Sequence, residues 1–277
     1  MNTIETRPST SPPPSTSHSR VSKEDLREQL EIMQQKVIDP IVGLYGPESM
    51  LWEVNRHTTV FFGAGRASLL QLAHPWVAQG ITHHSKTQTD PIGRFRRTFI
   101  NVFKMVYGDL DLVLDSSIHV HNIHRSIAGK LSEGSEGYKE GSSYMANQVD
   151  ALIWVHATLW ETSVKMFEIF NRQLTLEEKN RYYEETKLFA YLFGIPDSAL
   201  PPNWNEFLEY NQTMWDSDHL AVGDVGRELA HFIFNINKVL SPMLMLFPKL
   251  LPYKNPLFNL ILVVTNPANY DSNLGNQ

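Results

Sequence analysis

From Ser22 onward the apolar positions recur with a helical period. Leu26, Leu30, Met33 and Val37 follow at spacings of four, three and four, and so line one helical face. Ser22 precedes the run and Asp25 falls three residues later, a helix-start signal; Pro40 ends the segment. The apolar pattern resumes from Trp52 to Leu72, broken at Gly63-Ala64-Gly65, where small residues permit a bend or a close helix contact. Pro91 suits the first turn of a helix that runs to Tyr107 and stops at Gly108. Asp115 or Ser116 then caps a helix to Ala128, with Gly129 just past its end. Asn147 to Arg172 reads as the longest helix, with Leu152, Val155, Leu159, Met166 and Phe170 on a broad apolar face. Thr175 with Glu178 and Asn203 with Glu206 mark two further starts, and Gly194-Ile195-Pro196 is the stop between them.

No alternating strand, no Asn-Gly or Asp-Gly hairpin turn and no internal repeat accompanies these helices. The expected fold class is therefore all-α. Lys130 to Ser143, with Gly134, Gly137 and Gly141, is the most loop-like internal segment and reads as a mobile flap. Residues 1–21 are Ser, Thr and Pro with almost nothing to bury, so they read as a disordered tail, leaving residues 22–277 as one helical domain. The most apolar stretch, Val239 to Thr265, is cut by Pro242, Pro248, Pro252 and Pro256. Such a broken segment closes over a core or makes a peripheral membrane contact, and the prolines favour the core. No run reaches the 18 apolar residues of a spanning helix and the tail lacks a secretory apolar core, so the expected location is cytoplasmic.

Composition narrows the chemistry. The chain has no cysteine, which excludes disulfide scaffolds, cysteine-ligated zinc, iron–sulfur clusters, thiol nucleophiles and haem held by an axial thiolate. Nitrogen and oxygen ligands must serve instead. A formal charge of −6 leaves no basic footprint for nucleic acid, and a small or neutral partner is expected. Nucleotide-loop, zinc-protease, nucleophile-elbow and calcium-loop motifs are all absent.

Eleven histidines remain as candidate ligands. At about 100° per residue, His121 and His124 share a helical face while His119 points away, so the three cannot converge on one metal from a regular helix. His124 is the best placed of them to meet a flat cofactor, although on these residues alone a satisfied buried histidine or a surface one is the favoured reading. In Pro91-Ile92-Gly93-Arg94-Phe95-Arg96-Arg97-Thr98, spacings of three and four put Arg94, Arg97 and Thr98 together. Such cations need anionic partners, such as haem propionates, a phosphate or a carboxylate, or else are solvated. His74 and the pair His83-His84 fall near helix ends, and His156 lies in the aromatic stripe Trp154 to Trp160, a pattern more typical of core than of a cofactor site.

Taken in order, Gly65 to Pro75, Asp90 to Thr98, Val106 to Asp109, His124 to Gly129, Tyr144 to Asn147 and Leu152 to Leu159 form a set that resembles the MpaB-type and rubber oxygenase (latex-clearing protein) catalytic domain. The likeness runs from about Leu51 to Trp215, and Leu192 to Pro196 with Leu200-Pro201 also fit. The resemblance implies a single globin-like helical domain with a buried pocket for haem b. It further implies an oxygenase that uses O2 as co-substrate to cleave a carbon–carbon double bond in a hydrophobic, isoprenoid-like substrate. By position His124 matches the proximal iron ligand, and Arg94 and Thr98 match residues lining the haem pocket.

One position departs from the pattern. Where rubber oxygenases carry a lysine able to occupy the distal haem position, this chain has Arg97. A guanidinium offers iron no lone pair, so Arg97 is expected to stabilise bound oxygen or a propionate, with Thr98 beside it as the second catalytic candidate. No carboxylate aligns with the rubber oxygenase general base. Phe99, Phe103, Trp154 and Trp160 are expected as apolar walls. Two other readings stand beside this one: a non-catalytic haem- or lipophile-binding helical protein, and a non-haem metal hydrolase using His83, His84 and either His119 or His121.

Overall fold

The computed structural model describes residues 20–85, 90–135 and 137–234, excepting the side chains of Pro91, Ile92, Phe95 and Arg96. The segment Val239 to Thr265 and residues 1–19 lie outside the described residues.

Short-range capping chemistry sets most helix starts. In α1 (Lys23–Gln34) the Ser22 side chain accepts from Asp25 N, and the Asp25 carboxylate accepts from Ser22 N. The same reciprocal box between Thr175 and Glu178 opens α8 (Leu176–Tyr191), and Asn203 caps α9 (Trp204–Asp216). The expected interruption at Gly63 is a real one: α2 (Met50–Asn55) gives way to a 3-10 turn at Thr58–Gly63 before α3 (Ala64–Leu72). Gly63 is required there, because a Cβ would stand 2.4 Å from Thr162 Cγ2 and 2.7 Å from Met166 Cγ. The backbone thus comes directly against α7 (Val149–Phe170), the central helix.

Helix α7 is buried around most of its circumference, from Trp154 and Ala157 to Val164 and Phe167, and α2, the 3-10 turn, α3 and α8 pack against it. Trp154 donates its indole N–H to Leu70 O at 2.9 Å, and Trp160 packs edge-on against Phe189 at 4.9 Å. Both tryptophans are core residues; they do not form a cavity wall with Phe103, which is 40% exposed. A buried ion pair ties α3 to α7: Arg66 donates to the Glu161 carboxylate and, at 2.5 Å, to Thr162 Oγ1. Gly194 (φ +74°) turns the chain after α8, its missing side chain leaving room for Val21.

Three sequence expectations are corrected. Helix α6 (Leu110–Ser126) begins earlier than expected, capped by Asp109 on Leu112 N at 2.9 Å, because Gly108 and Asp109 form both the end of α5 (Pro91–Tyr107) and the start of α6. It ends at Ser126 as the chain turns extended. Two short strands then appear where none was expected, β1 (Ala128–Lys130) antiparallel to β2 (Ser143–Met145). They close the base of the segment read as a mobile flap, whose body is pinned by Tyr138 Oη, 3.4 Å from His74 Nε2 and 3.3 Å from His219 Nδ1. The Glu133 carboxylate adds two bonds, accepting from Asp224 N and Val225 N at the start of α10 (Asp224–Phe234). Finally, Arg20 and Val21, assigned to the tail, belong to the fold: Val21 is buried and donates to Asn147 O at 2.8 Å.

Candidate haem site

Helices α5 and α6 form an antiparallel hairpin about the Gly108-Asp109 turn. That pairing brings the first turns of α5, with Arg94, against the last turn of α6, with His124. Helix α4 (Pro75–His84) ends beside them, and Ser85 Oγ, one residue beyond it, accepts from Arg94 Nη1.

His124 is a neutral imidazole. Burial is the main cause of a pKa lowered to about 4, with His121 and Arg94 adding repulsion and the Asn147 side chain opposing them by a hydrogen bond. Its Nδ1 is buried and, among the described residues, meets no hydrogen-bond partner. The ring faces Phe193 across 6.1 Å between centroids. A neutral nitrogen base without a protein partner, facing an aromatic wall, has the properties a metal ligand needs. Arg94 is half-buried, and its guanidinium is held below the usual arginine range by burial and by neighbouring Arg97. It bonds the Ser85 hydroxyl, and its cationic reach suits a carboxylate such as a propionate.

The other two predicted residues sit differently. Arg97 is 58% exposed at its side chain and pairs with Asp90 Oδ2 at 3.0 Å; Asp90 is also the α5 cap, accepting from Gly93 N. Thr98 is exposed one residue on. Arg94 and His124 are therefore brought together, whereas Arg97 and Thr98 lie on the outer side of α5.

The remaining histidines separate by environment. His119 is exposed while His121 is buried, in keeping with their different helical faces. His156 is a core residue, bonded through Nε2 to Thr186 O at 2.9 Å. His83 lies near Tyr144 Oη and Gln79. Among the described residues no three His, Asp or Glu side chains gather as a metal-binding group, so the set named for a non-haem metal does not converge. Asn147 and Phe193 carry no role in the sequence beyond their places in the ordered motifs; in the fold Phe193 faces His124, and Asn147 bonds His121 one turn before it.

One family description matches residues 52–276: ER-bound oxygenase mpaB/B'/rubber oxygenase, catalytic domain. The chain belongs to this family. No curated protein and no solved structure matches significantly. Membership in an mpaB/rubber oxygenase family makes this an oxygenase-type chain, and it extends the likeness seen in the motifs through the C-terminal apolar segment. Among the described residues, no helix of this oxygenase is long and apolar enough to cross a membrane.

The donor set fits the haem that the motifs imply. It offers His124, a half-buried neutral imidazole whose Nδ1 meets no partner among the described residues, no thiolate and a half-buried cation across the helix pair.

Proposed function

We propose that this chain is a haem b-dependent oxygenase that cleaves a carbon–carbon double bond in a hydrophobic, isoprenoid-like substrate. The observation that carries the reading is the approach of Arg94 to the half-buried, neutral His124, whose Nδ1 is buried, within a chain of an oxygenase family. His124 is the metal ligand and Arg94 the propionate partner. A bound haem would supply dioxygen activation. Cleavage of an alkene by O2 yields two carbonyl groups with no electrons left over, so no external reductant is required.

Around that chemistry the chain has three tasks. Burial keeps His124 unprotonated, so its ring nitrogen stays available as a ligand at every pH well above 4. Phe193 presents an apolar surface to the His124 ring and helps exclude water. Arg97 and Thr98, at the exposed rim, are assigned to the approach of substrate and oxygen, with Arg97 serving as a charge and not as a ligand. A cytoplasmic location and a peripheral membrane contact through residues 239–265 belong to the same proposal, suited to a lipophilic substrate.

Oxygen uptake by haemin-loaded protein with isoprenoid alkenes tests the activity. The expected result is consumption of one O2 per double bond with two carbonyl products. Stable haem binding with no uptake and no carbonyl product for a panel of isoprenoids would favour the non-catalytic carrier instead.

A further inference from the structure

Asn147 sits at the junction of three chain segments. It is 2% exposed and directly precedes Gln148, the cap of α7. Its carbonyl accepts from Val21 N at 2.8 Å, and neighbouring Ala146 N donates to Ile127 O at 3.0 Å, three residues past His124. A side chain on so constrained a backbone can fix the orientation of what it touches.

The direction of its amide is set by its partners. Nδ2 lies 3.3 Å from His121 Nδ1 and 3.5 Å from the His121 carbonyl oxygen. A carbonyl only accepts, so the nitrogen of the amide must face His121. That nitrogen donates, so His121 Nδ1 must accept and the ring proton resides on Nε2. Nε2 of His121 has no protein partner in either tautomer and does not decide between them.

We propose that Asn147 is a positioning residue: its amide holds His121 as the Nε2–H tautomer and ties the C-terminal end of α6 to the start of α7, setting the place of His124 on that helix for metal binding. The last clause rests on the haem reading; the tautomer does not.

The test uses the full chain labelled with 15N-histidine, without haemin, and long-range proton–nitrogen spectra assigned through His121→Gln. His121 is expected as a single Nε2–H tautomer. Asn147→Asp, nearly isosteric but only accepting, is expected to invert it to Nδ1–H, an outcome that a packing role alone would not produce. Asn147→Ala is expected to weaken haemin binding about ten- to a hundredfold. His121 found as Nδ1–H in the unmodified chain overturns the proposal, as does an Asn147→Asp spectrum identical to it; the first result stands even if the variant fails to fold. A chain that binds no haemin yet has His121 as Nε2–H sinks the haem reading and leaves the tautomer assignment upheld.

Discussion

Acid should destabilise this protein well before its carboxylates protonate, and two core histidines set the size of the effect. His156 and His74 are 4% and 2% exposed, and burial is the main cause of pKa values lowered from 6.5 to about 4 and about 3. Their folded-state values lie below the unfolded ones, so between them the unfolded chain binds more protons and stability falls as pH falls. For a group moving from 6.5 to 4, the loss at about pH 5 is about 2 kcal/mol, and His74 contributes about the same. Together these two remove about 4 kcal/mol, a drop of roughly 8–16 °C in Tm for a domain of this size, and His124, also lowered to about 4 by burial, adds about 2 kcal/mol to the loss. Thermal melts across the range from about pH 7.5 to about pH 5 measure it. His156→Gln keeps a donor for Thr186 O and should flatten the profile by about 2 kcal/mol, whatever its stability at neutral pH. An unmodified chain equally stable at both ends of that range, or a His156→Gln profile parallel to it, would refute the reasoning.

The remaining predictions concern the core and the site. Glu161→Ala strands the buried Arg66 guanidinium and should cost about 3–5 kcal/mol in urea unfolding, while Arg66→Met with Glu161→Met should recover much of that loss. Gly63→Ala places a methyl against Thr162 and Met166 and should cost about 1–3 kcal/mol, partly relieved by Thr162→Ser, which removes the contacted Cγ2 yet keeps the hydroxyl bonded to Arg66. Half-buried Arg94 and exposed Arg97 should differ in haemin titrations: Arg94→Met is expected to weaken binding about tenfold and Arg97→Met by much less. Equal losses would contradict the assignment of Arg94 as the propionate partner.

What could be read from the sequence follows the range of the forces involved. Ser22, Thr175, Asn203, Pro91 and Gly108 act within three or four residues of themselves, and each is found at the boundary it signalled. The face shared by His121 and His124 follows from helical geometry alone. By contrast, β1 and β2 are only three residues each, and their pairing spans the Glu133–Tyr138 body that ties the hairpin to α4 and α10. No local pattern announces such strands. The sequence places the α6 cap at Asp115 or Ser116; the helix is capped instead by Asp109, beside Leu110 N, which donates to Pro40 O across the fold. The candidate site divides the same way. His124 and Arg94 stand in the ordered motifs, and the pairing of Arg97 with Asp90 is local to the start of α5, whereas the place of Asn147 depends on how α6 and the start of α7 come together.

A visible-range titration of the purified chain with haemin decides whether His124 holds a haem iron. A saturating, equimolar Soret absorbance is expected that His124→Ala largely abolishes, while His119→Ala, on the exposed face of the same helix, leaves it intact. A chain that remains colourless with haemin, or a His124→Ala variant that binds it like the unmodified protein, would rule out His124 as the haem ligand.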